Sequence, residues 1–387
     1  MNIRLLVLNP FTNDARIHKE AKALASNGHN VTVVALWQKG LNKEEEQAGY
    51  KIIRLHLQAR AWRGYLVAPL VKYMEFGLQV WRLAGRHPAH IYHANDAITL
   101  PAAWLAARRN HARLVYDAHE LETGREVASS RLSALYKRAW PLPEQLYIKK
   151  ADAVITVNES IANELVRLYH IPRPTVVRNC PEYLPVSRTN RLREEFAIPA
   201  DHKIILYQGQ IAKGRGIECL IQSIQFLPDV SVVALGVGPS LEEYRNLVTT
   251  GQWERVYFPG QVSLTELPSY TASADIGVLL IEDTCLSYHL SLPNKLFEYI
   301  HAGLPVVASN LPEIARVVST FQIGEIVNPD DPPEITMALS RLLHDPIRYS
   351  QYMSNAIQAA KKFTWEQESK NLLAIYQSLE QDIHKRK

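Results

Sequence analysis

A chain of 387 residues with 47% hydrophobic content has material for two domains with separate cores, since domains run to about 100–200 residues. A peptide hormone, a disulfide scaffold and a collagen are excluded. The 43 Lys and Arg against 39 Asp and Glu leave a net charge of +4, too small a surplus to predict nucleic-acid binding. Cys180, Cys219 and Cys285 are odd in number and widely spaced, without CxxC or Cys/His ligand spacing. They read as small buried hydrophobes in a reducing compartment.

In chain order, residues 3–8 form a short apolar run closed by Asn9-Pro10, which predicts a first strand rather than a signal peptide. A helical pattern over 15–27 stops at Gly28, and a β-rich run follows at 31–36, completing a βαβ unit. The acidic run Glu44-Glu45-Glu46 reads as a solvated loop. The alternation continues with a strand at 52–57, an amphipathic stretch near 65–83, a strand at 91–93, a helix at 100–109, a strand at 114–116, a helix ending near Lys149, and a strand at 153–157. A second series of strands follows at 204–208, 230–235, 256–258, 276–280, 306–308 and 324–327, with helical patterns between. The pattern predicts two doubly wound α/β halves, residues 1–180 and 181–363, followed by a helix at 364–387 across the domain junction. No window of about 18 residues is free of charge, so no membrane span is expected.

Several groups in the second half could bind an anion. The segment Leu290-Ser-Leu-Pro-Asn-Lys-Leu-Phe-Glu298 presents a helix start, with Ser291 as candidate N-cap and Pro293 in the first turn. Free amides near Leu292 and Asn294, with Lys295 beside them, suit a diphosphate, and Glu298 could accept bonds from ribose hydroxyls. A capped surface helix with a Lys295–Glu298 pair is the plainer alternative. A strand end at Gly209 leads into Lys213-Gly-Arg215-Gly216, where glycines allow close approach of a phosphate and Arg215 could grip its oxygens. Gly236-Val-Gly238-Pro239 lacks a third glycine and places proline where an amide would serve, so no nicotinamide site is expected.

In the first half, Asp117, His119 and Glu120 end one strand and His93 and Asp96 end another, the edge where doubly wound sheets keep catalytic groups. His119 is the candidate for hydrogen bonding or proton transfer, with Asp117 or Glu120 as partner. These residue types could also bind a metal, but no closed ligand set supports one. Asp14 and Arg16 open the first helix, Asp14 as N-cap or substrate contact.

Together Asp14–Ala21, Tyr116-Asp-Ala-His-Glu-Leu121, Arg215-Gly216 and Pro293-Asn-Lys-Leu-Phe-Glu-Tyr-Ile300 resemble, in order and spacing, a retaining glycosyltransferase of family four. The resemblance covers nearly the whole chain. It implies the GT-B architecture, two Rossmann-like domains facing across a cleft. It also implies transfer of a sugar from a nucleotide-diphosphate donor to a glycan or lipid-linked acceptor, with retention, without cofactor or obligatory metal, in surface polysaccharide biosynthesis. His119, with Asp117 and Glu120, then corresponds to the catalytic group. Gly209, Lys213, Arg215, Gly216, Leu292, Asn294, Lys295 and Glu298 correspond to the donor site, and Asp14, Arg16, His93 and Asp96 lie on the acceptor side. A nucleotide-sugar epimerase of the same fold and a non-catalytic nucleotide-sugar-binding protein are the alternatives.

The chain departs from the family pattern in three places. Leu290 stands where a first glutamate is usual, Gln210 where an arginine often follows the strand, and a glycine pair is missing from residues 9–14. Between Arg54 and Arg86 the cations Arg54, Arg60, Arg63, Lys72, Arg82 and Arg86 face one acid, Glu75, among Trp62, Tyr65, Tyr73, Phe76 and Trp81. That makes an anionic membrane surface a candidate partner of a cytoplasmic enzyme, peripheral on the inner face of the plasma membrane; helices solvated on one face are the alternative. No nucleic-acid partner is expected.

Overall fold

The computed structural model describes residues 1–61, 68–124, 141–184, 187–251 and 253–385. The chain divides into two compact units, Met1–Asn179 with Glu368–Lys387, and Cys180–Gln367.

The first unit runs β1 (Asn2–Leu6), α1 (Ala15–Ser26), β2 (Asn30–Leu36), β3 (Glu44–Gln47), β4 (Tyr50–Leu55), α2 (Ala68–Arg86), β5 (Ile91–Asn95), α3 (Leu100–Arg109), β6 (Arg113–Ala118), α4 (Leu142–Tyr147), β7 (Ala153–Thr156), α5 (Glu159–Tyr169) and β8 (Thr175–Val176). Its strands form one sheet in the order β3-β4-β2-β1-β5-β6-β7-β8, parallel except for β3 against β4. β5 is buried at every position, as expected of a parallel strand covered on both faces. Its polar residues His93 and Asn95 therefore need internal partners. The acidic run predicted as a loop is instead the edge strand β3. Its charges suit an edge, where Glu44 pairs with Lys51 at 2.7 Å and Glu45 with Arg54 at 2.8 Å.

The second unit runs α6 (Arg191–Glu195), β9 (Lys203–Gln208), α7 (Ile217–Ser223), β10 (Val230–Leu235), α8 (Leu241–Thr250), β11 (Val256–Gly260), α9 (Leu267–Thr271), β12 (Ile276–Leu279), α10 (Leu286–His289), α11 (Asn294–His301), β13 (Val306–Ser309), α12 (Pro312–Phe321), β14 (Gly324–Val327), α13 (Pro332–His344) and α14 (Pro346–Ala360). Its sheet is wholly parallel, in the order β11-β10-β9-β12-β13-β14.

Two glycines let backbone and ring approach closely here. A Cβ on Gly277 would fall 2.5 Å from the Tyr299 ring, and one on Gly236 would fall 1.8 Å from the Gly209 carbonyl oxygen. The Gly236-x-Gly238 pair thus packs against the 209–211 backbone, where Ile211 N–H donates to Val237 O at 3.0 Å. It has a packing role, which accounts for the incomplete dinucleotide motif.

The last helix, α15 (Trp365–Lys385), begins in the second unit and from Glu368 onward belongs to the first. There Glu368 accepts the Arg178 amide at 2.8 Å and its guanidinium at 3.0 Å, and Leu372, Tyr376 and Leu379 are buried. Cys180 is a core residue, while Cys219 and Cys285 are only half-buried, a correction to the expectation of three buried thiols. Arg54 and Phe76 are likewise buried rather than on a basic surface, because Arg54 donates to Pro10 O at 3.0 Å and pairs with Glu45. Trp62, Arg63 and Tyr65 lie outside the described residues, as does the side chain of Arg60.

Candidate active site

In the first unit the strand ends of β5 and β6 and the start of α1 build one polar cluster. The Arg16 guanidinium grips the buried Asp117 carboxylate through Nε at 2.8 Å and Nη2 at 2.9 Å, and its Nη1 donates to Val177 O at 2.8 Å. Such a fork is the strongest arrangement an arginine and a carboxylate can adopt. His119 lies between two carboxylates, Nε2 3.0 Å from Asp117 and Nδ1 3.4 Å from Asp96. Burial works against charge on this ring, but Asp96 and then Asp117 outweigh it and raise the His119 pKa to about 10. Burial would also raise Asp117, yet Arg16 and His119 hold it well below the usual carboxylate range. Asp96 adopts φ +63°, a strained conformation for a residue with a Cβ, fixed in part by its N–H donating to Asp117 O at 3.1 Å.

Behind this pair sits Glu20, one helical turn from Arg16, fully buried, with neither carboxylate oxygen in a hydrogen bond. It is 3.0 Å from Arg16 Nε at a poor angle and 4.0 Å from His93 Nε2, which is also unpartnered. Burial pushes Glu20 up to about 8 and His93 down to about 4, so both are held neutral at neutral pH. His93 Nδ1 meets the Tyr376 hydroxyl at 2.6 Å. Glu20, His93 and Asp117 offer donor atoms within 4.8 Å of one another. The Arg16 fork already supplies the positive charge that this trio would ask of a cation.

The geometry corrects part of the sequence reading. Arg16 and His93 are buried and bonded inward, so they support the cluster rather than face an acceptor. Asp14 accepts the Ile17 amide at 3.3 Å and Asn9 Nδ2 at 3.1 Å, which makes it the cap of α1. Asp117, His119 and Asp96 do come together, and Glu120 lies exposed one residue beyond.

In the second unit α11 begins two residues later than expected. Its N-cap is Pro293, and Ser291 donates its hydroxyl to Tyr288 O at 2.8 Å instead of capping. Leu292 is buried in the core, whereas Asn294 is exposed at the helix start. Glu298 accepts a short bond from Gln208 Nε2, and Thr271 holds the other end of that amide at 3.0 Å. Tyr299 ties α11 to the sheet, accepting the Gln208 amide at 3.1 Å. Lys295 Nζ stands 3.9 Å over the Tyr207 ring, beside Gly209, and Arg215 lies 4.5 Å over Tyr288. Among the described residues neither cation has a carboxylate within ion-pair distance, and Arg215 Nε is buried without a partner. Burial, and then Arg215, lower Lys295 to about 7. Lys213 is different: it is 76% exposed and paired with Glu243 at 3.1 Å on the surface.

Gln208, Thr271, Glu20 and Tyr376 were missed. Glu20 had a signal, since Arg16 and Glu20 fall at i and i+4 on the face that also carries Ile17, Ala21 and Leu24. Gln208 had only its place beside Gly209.

Two parallel-sheet α/β domains, each with a polar cluster at its strand ends, define the class: a GT-B glycosyltransferase. The chain belongs to the family-four, group 1 glycosyltransferases, with residues 15–180 matching Glycosyltransferase Family 4 and residues 188–363 matching Glycosyl transferases group 1. It is 26% identical over 302 residues to the D-inositol 3-phosphate glycosyltransferase of Xylanimonas cellulosilytica, covering 74% of this chain and 71% of that protein. It is also 26% identical over 251 residues to the alpha-D-kanosaminyltransferase of Streptomyces kanamyceticus, covering 61% and 63%. The fold is similar to sucrose-phosphate synthase from Thermosynechococcus elongatus, with TM-score 0.83, 20% identity and 98% and 99% of the two chains covered. It is similar too to Anabaena HepE in complex with UDP, with TM-score 0.75, 18% identity and 98% and 100% covered.

Proposed function

We propose that this glycosyltransferase moves a sugar from a nucleoside-diphosphate donor to a glycan or lipid-linked acceptor with retention of anomeric configuration, in surface polysaccharide biosynthesis and without a required metal. The observation that carries the reading is the pairing of two cations, Arg215 and Lys295, that have no carboxylate partner among the described residues, with a carboxylate braced by Gln208 at Glu298. Two such cations call for an anion of matching charge, and a diphosphate at a helix start supplies it. Glu298 would take the ribose hydroxyls.

In the reaction the bond from the anomeric carbon to the diphosphate oxygen breaks. The acceptor oxygen bonds to the same face of that carbon, and the acceptor proton passes to the departing phosphate. Arg215, Lys295 and the amides of α11 would stabilise the leaving charge, and His119 would act in the transfer step. The HepE complex with UDP supports a uridine nucleotide as the first donor to try.

UDP is expected to bind by calorimetry in the presence of a chelator, and Glu298→Ala and Arg215→Ala each to weaken it about tenfold or more. Unchanged affinity in both variants would remove the site. Because Lys295 sits near pKa 7 in the empty site, binding at pH 7 should take up about half a proton, read from the dependence of the heat on buffer ionisation enthalpy. Product analysis with and without acceptors separates transfer from epimerisation, and magnetic resonance of the product reports the anomeric configuration.

A further inference from the structure

The helical layer formed by α2, α3 and α4 of the first unit has an outer surface that nothing in the transfer reaction uses. Leu70, Met74, Leu78 and Trp81 of α2 recur at spacings of four, four and three, which places them on one helix face. That face is turned to solvent rather than to the core, with Leu70 61% and Met74 67% exposed. Arg82 and Arg86 continue the same row and are exposed as well.

Exposed residues of α3 and α4 extend the pattern. Arg109 of α3 lies 3.8 Å over the Trp81 ring, and Leu105, one turn earlier on α3, is exposed. The rings of Trp104 and Tyr147 are 5.0 Å apart and join α3 to α4, where Leu142 and Leu146 are exposed one turn from each other. Lys150 caps this joint, its Nζ 4.3 Å over Trp104.

The carboxylates of these helices point the other way. α2 has a single acid, Glu75, which accepts the amides of Gln58 and Ala59 at 2.8 and 2.9 Å. α4 has one, Glu144, which is buried and accepts the hydroxyls of Tyr116 and Tyr169 at 2.6 and 2.9 Å. α3 has none. The layer therefore shows solvent an apolar row bordered by cations, with Glu75 engaged by backbone amides and Glu144 buried.

We infer that this face docks on an anionic lipid bilayer, the apolar row entering the headgroup and acyl boundary and the arginines meeting lipid phosphates. An apolar patch of this kind is unusual on a monomer that has no use for it. A second copy of the chain is a poorer occupant, since stacking the face on itself brings arginine against arginine. A bilayer carrying negative headgroups satisfies both halves of the pattern at once. Among the described residues no helix is long and apolar enough to cross a membrane, so docking on the surface is the mode that fits. The docking face and the nucleotide site stand on different residues, so either can fail without the other.

The test uses the full chain and vesicles of phosphatidylcholine alone or with phosphatidylglycerol at about one part in three. Co-sedimentation is expected with the anionic vesicles and at least about tenfold weaker with neutral ones or at high salt. Leu70→Gln/Met74→Gln/Leu78→Gln should lower binding about tenfold and keep its salt dependence. Arg82→Ser/Arg86→Ser/Arg108→Ser, the last of these exposed 5.2 Å over the Trp104 ring, should lower it similarly and remove most of the salt dependence. All six positions are on the surface, so both variants should keep the parent thermal transition. Equal binding to neutral vesicles, no binding to either kind, or unchanged binding in both variants would overturn the inference. So would a dimer in solution that the apolar variant splits into monomers.

Discussion

Replacing His119 with alanine is expected to lower kcat at least about a hundredfold while leaving the Kd for UDP within about twofold. The expectation follows from where the ring is held. Asp117 is fixed by the Arg16 fork, Asp96 faces the other ring nitrogen from a strained backbone, and the ring between them carries a charge. A preorganised cation contributes where negative charge develops, here on the departing diphosphate, and removing such a group typically costs about 10²–10³ in rate.

The pH dependence tests the same geometry. An unperturbed histidine would give a titration near pH 6.5. With His119 raised to about 10, the limb on which activity is lost as the ring deprotonates should fall near that value. Asp96→Asn removes a negative charge that favours the imidazolium and should bring the limb to lower pH. A limb near 6.5 in the parent protein, or one that does not move in Asp96→Asn, would show that the ring is not clamped in its charged form. Loss of UDP binding in His119→Ala would make the residue structural.

The doubly wound pattern was legible because parallel strands buried on both faces leave continuous apolar runs, as in residues 31–36 and 230–235. Strand ends were legible for the same reason: the polar residue that follows such a run is at the site edge, which is how Asp117, His119 and Asp96 could be found. Partner choice was not legible. Nothing in spacing says that Lys213, in a glycine loop, turns to Glu243 on the surface while Lys295, at a helix start, turns over Tyr207, since both read equally well as phosphate-binding cations. The identity of the cap was lost to local chemistry, because Ser291 uses its hydroxyl on the preceding turn and leaves the helix start to Pro293. Arg54 was misplaced because a charged residue in an alternating strand reads as solvent-facing, while here it is covered by Pro10 and Glu45. The C-terminal helix shows a further limit. Its apolar face was visible, but the contact of Tyr376 with His93, 283 positions away in sequence, is a product of tertiary folding.

The second large effect is on stability, at Arg16. Arg16→Met keeps the apolar stem and removes the guanidinium, leaving Asp117 buried with His119 and the Glu20 carboxyl. Breaking a buried pair by deleting one partner costs about 3–5 kcal/mol, so the first unit should melt roughly 10 °C lower. A loss under about 2 °C would mean that the fork is not a support. Glu20→Gln should act in the opposite direction, increasingly as pH rises above about 4.5. The folded-state pKa of Glu20 is raised from 4.5 to about 8, so the folded protein holds a proton that the unfolded chain releases. Its contribution is therefore fully present below about pH 4.5 and lost as pH rises through about 8. Glutamine mimics the protonated side chain and has nothing to lose over that interval. The variant should gain about 4 kcal/mol on the parent between pH 5 and 9, about 8–16 °C in Tm for a unit of this size. A constant difference across that range would mean that Glu20 is ionised in the folded protein.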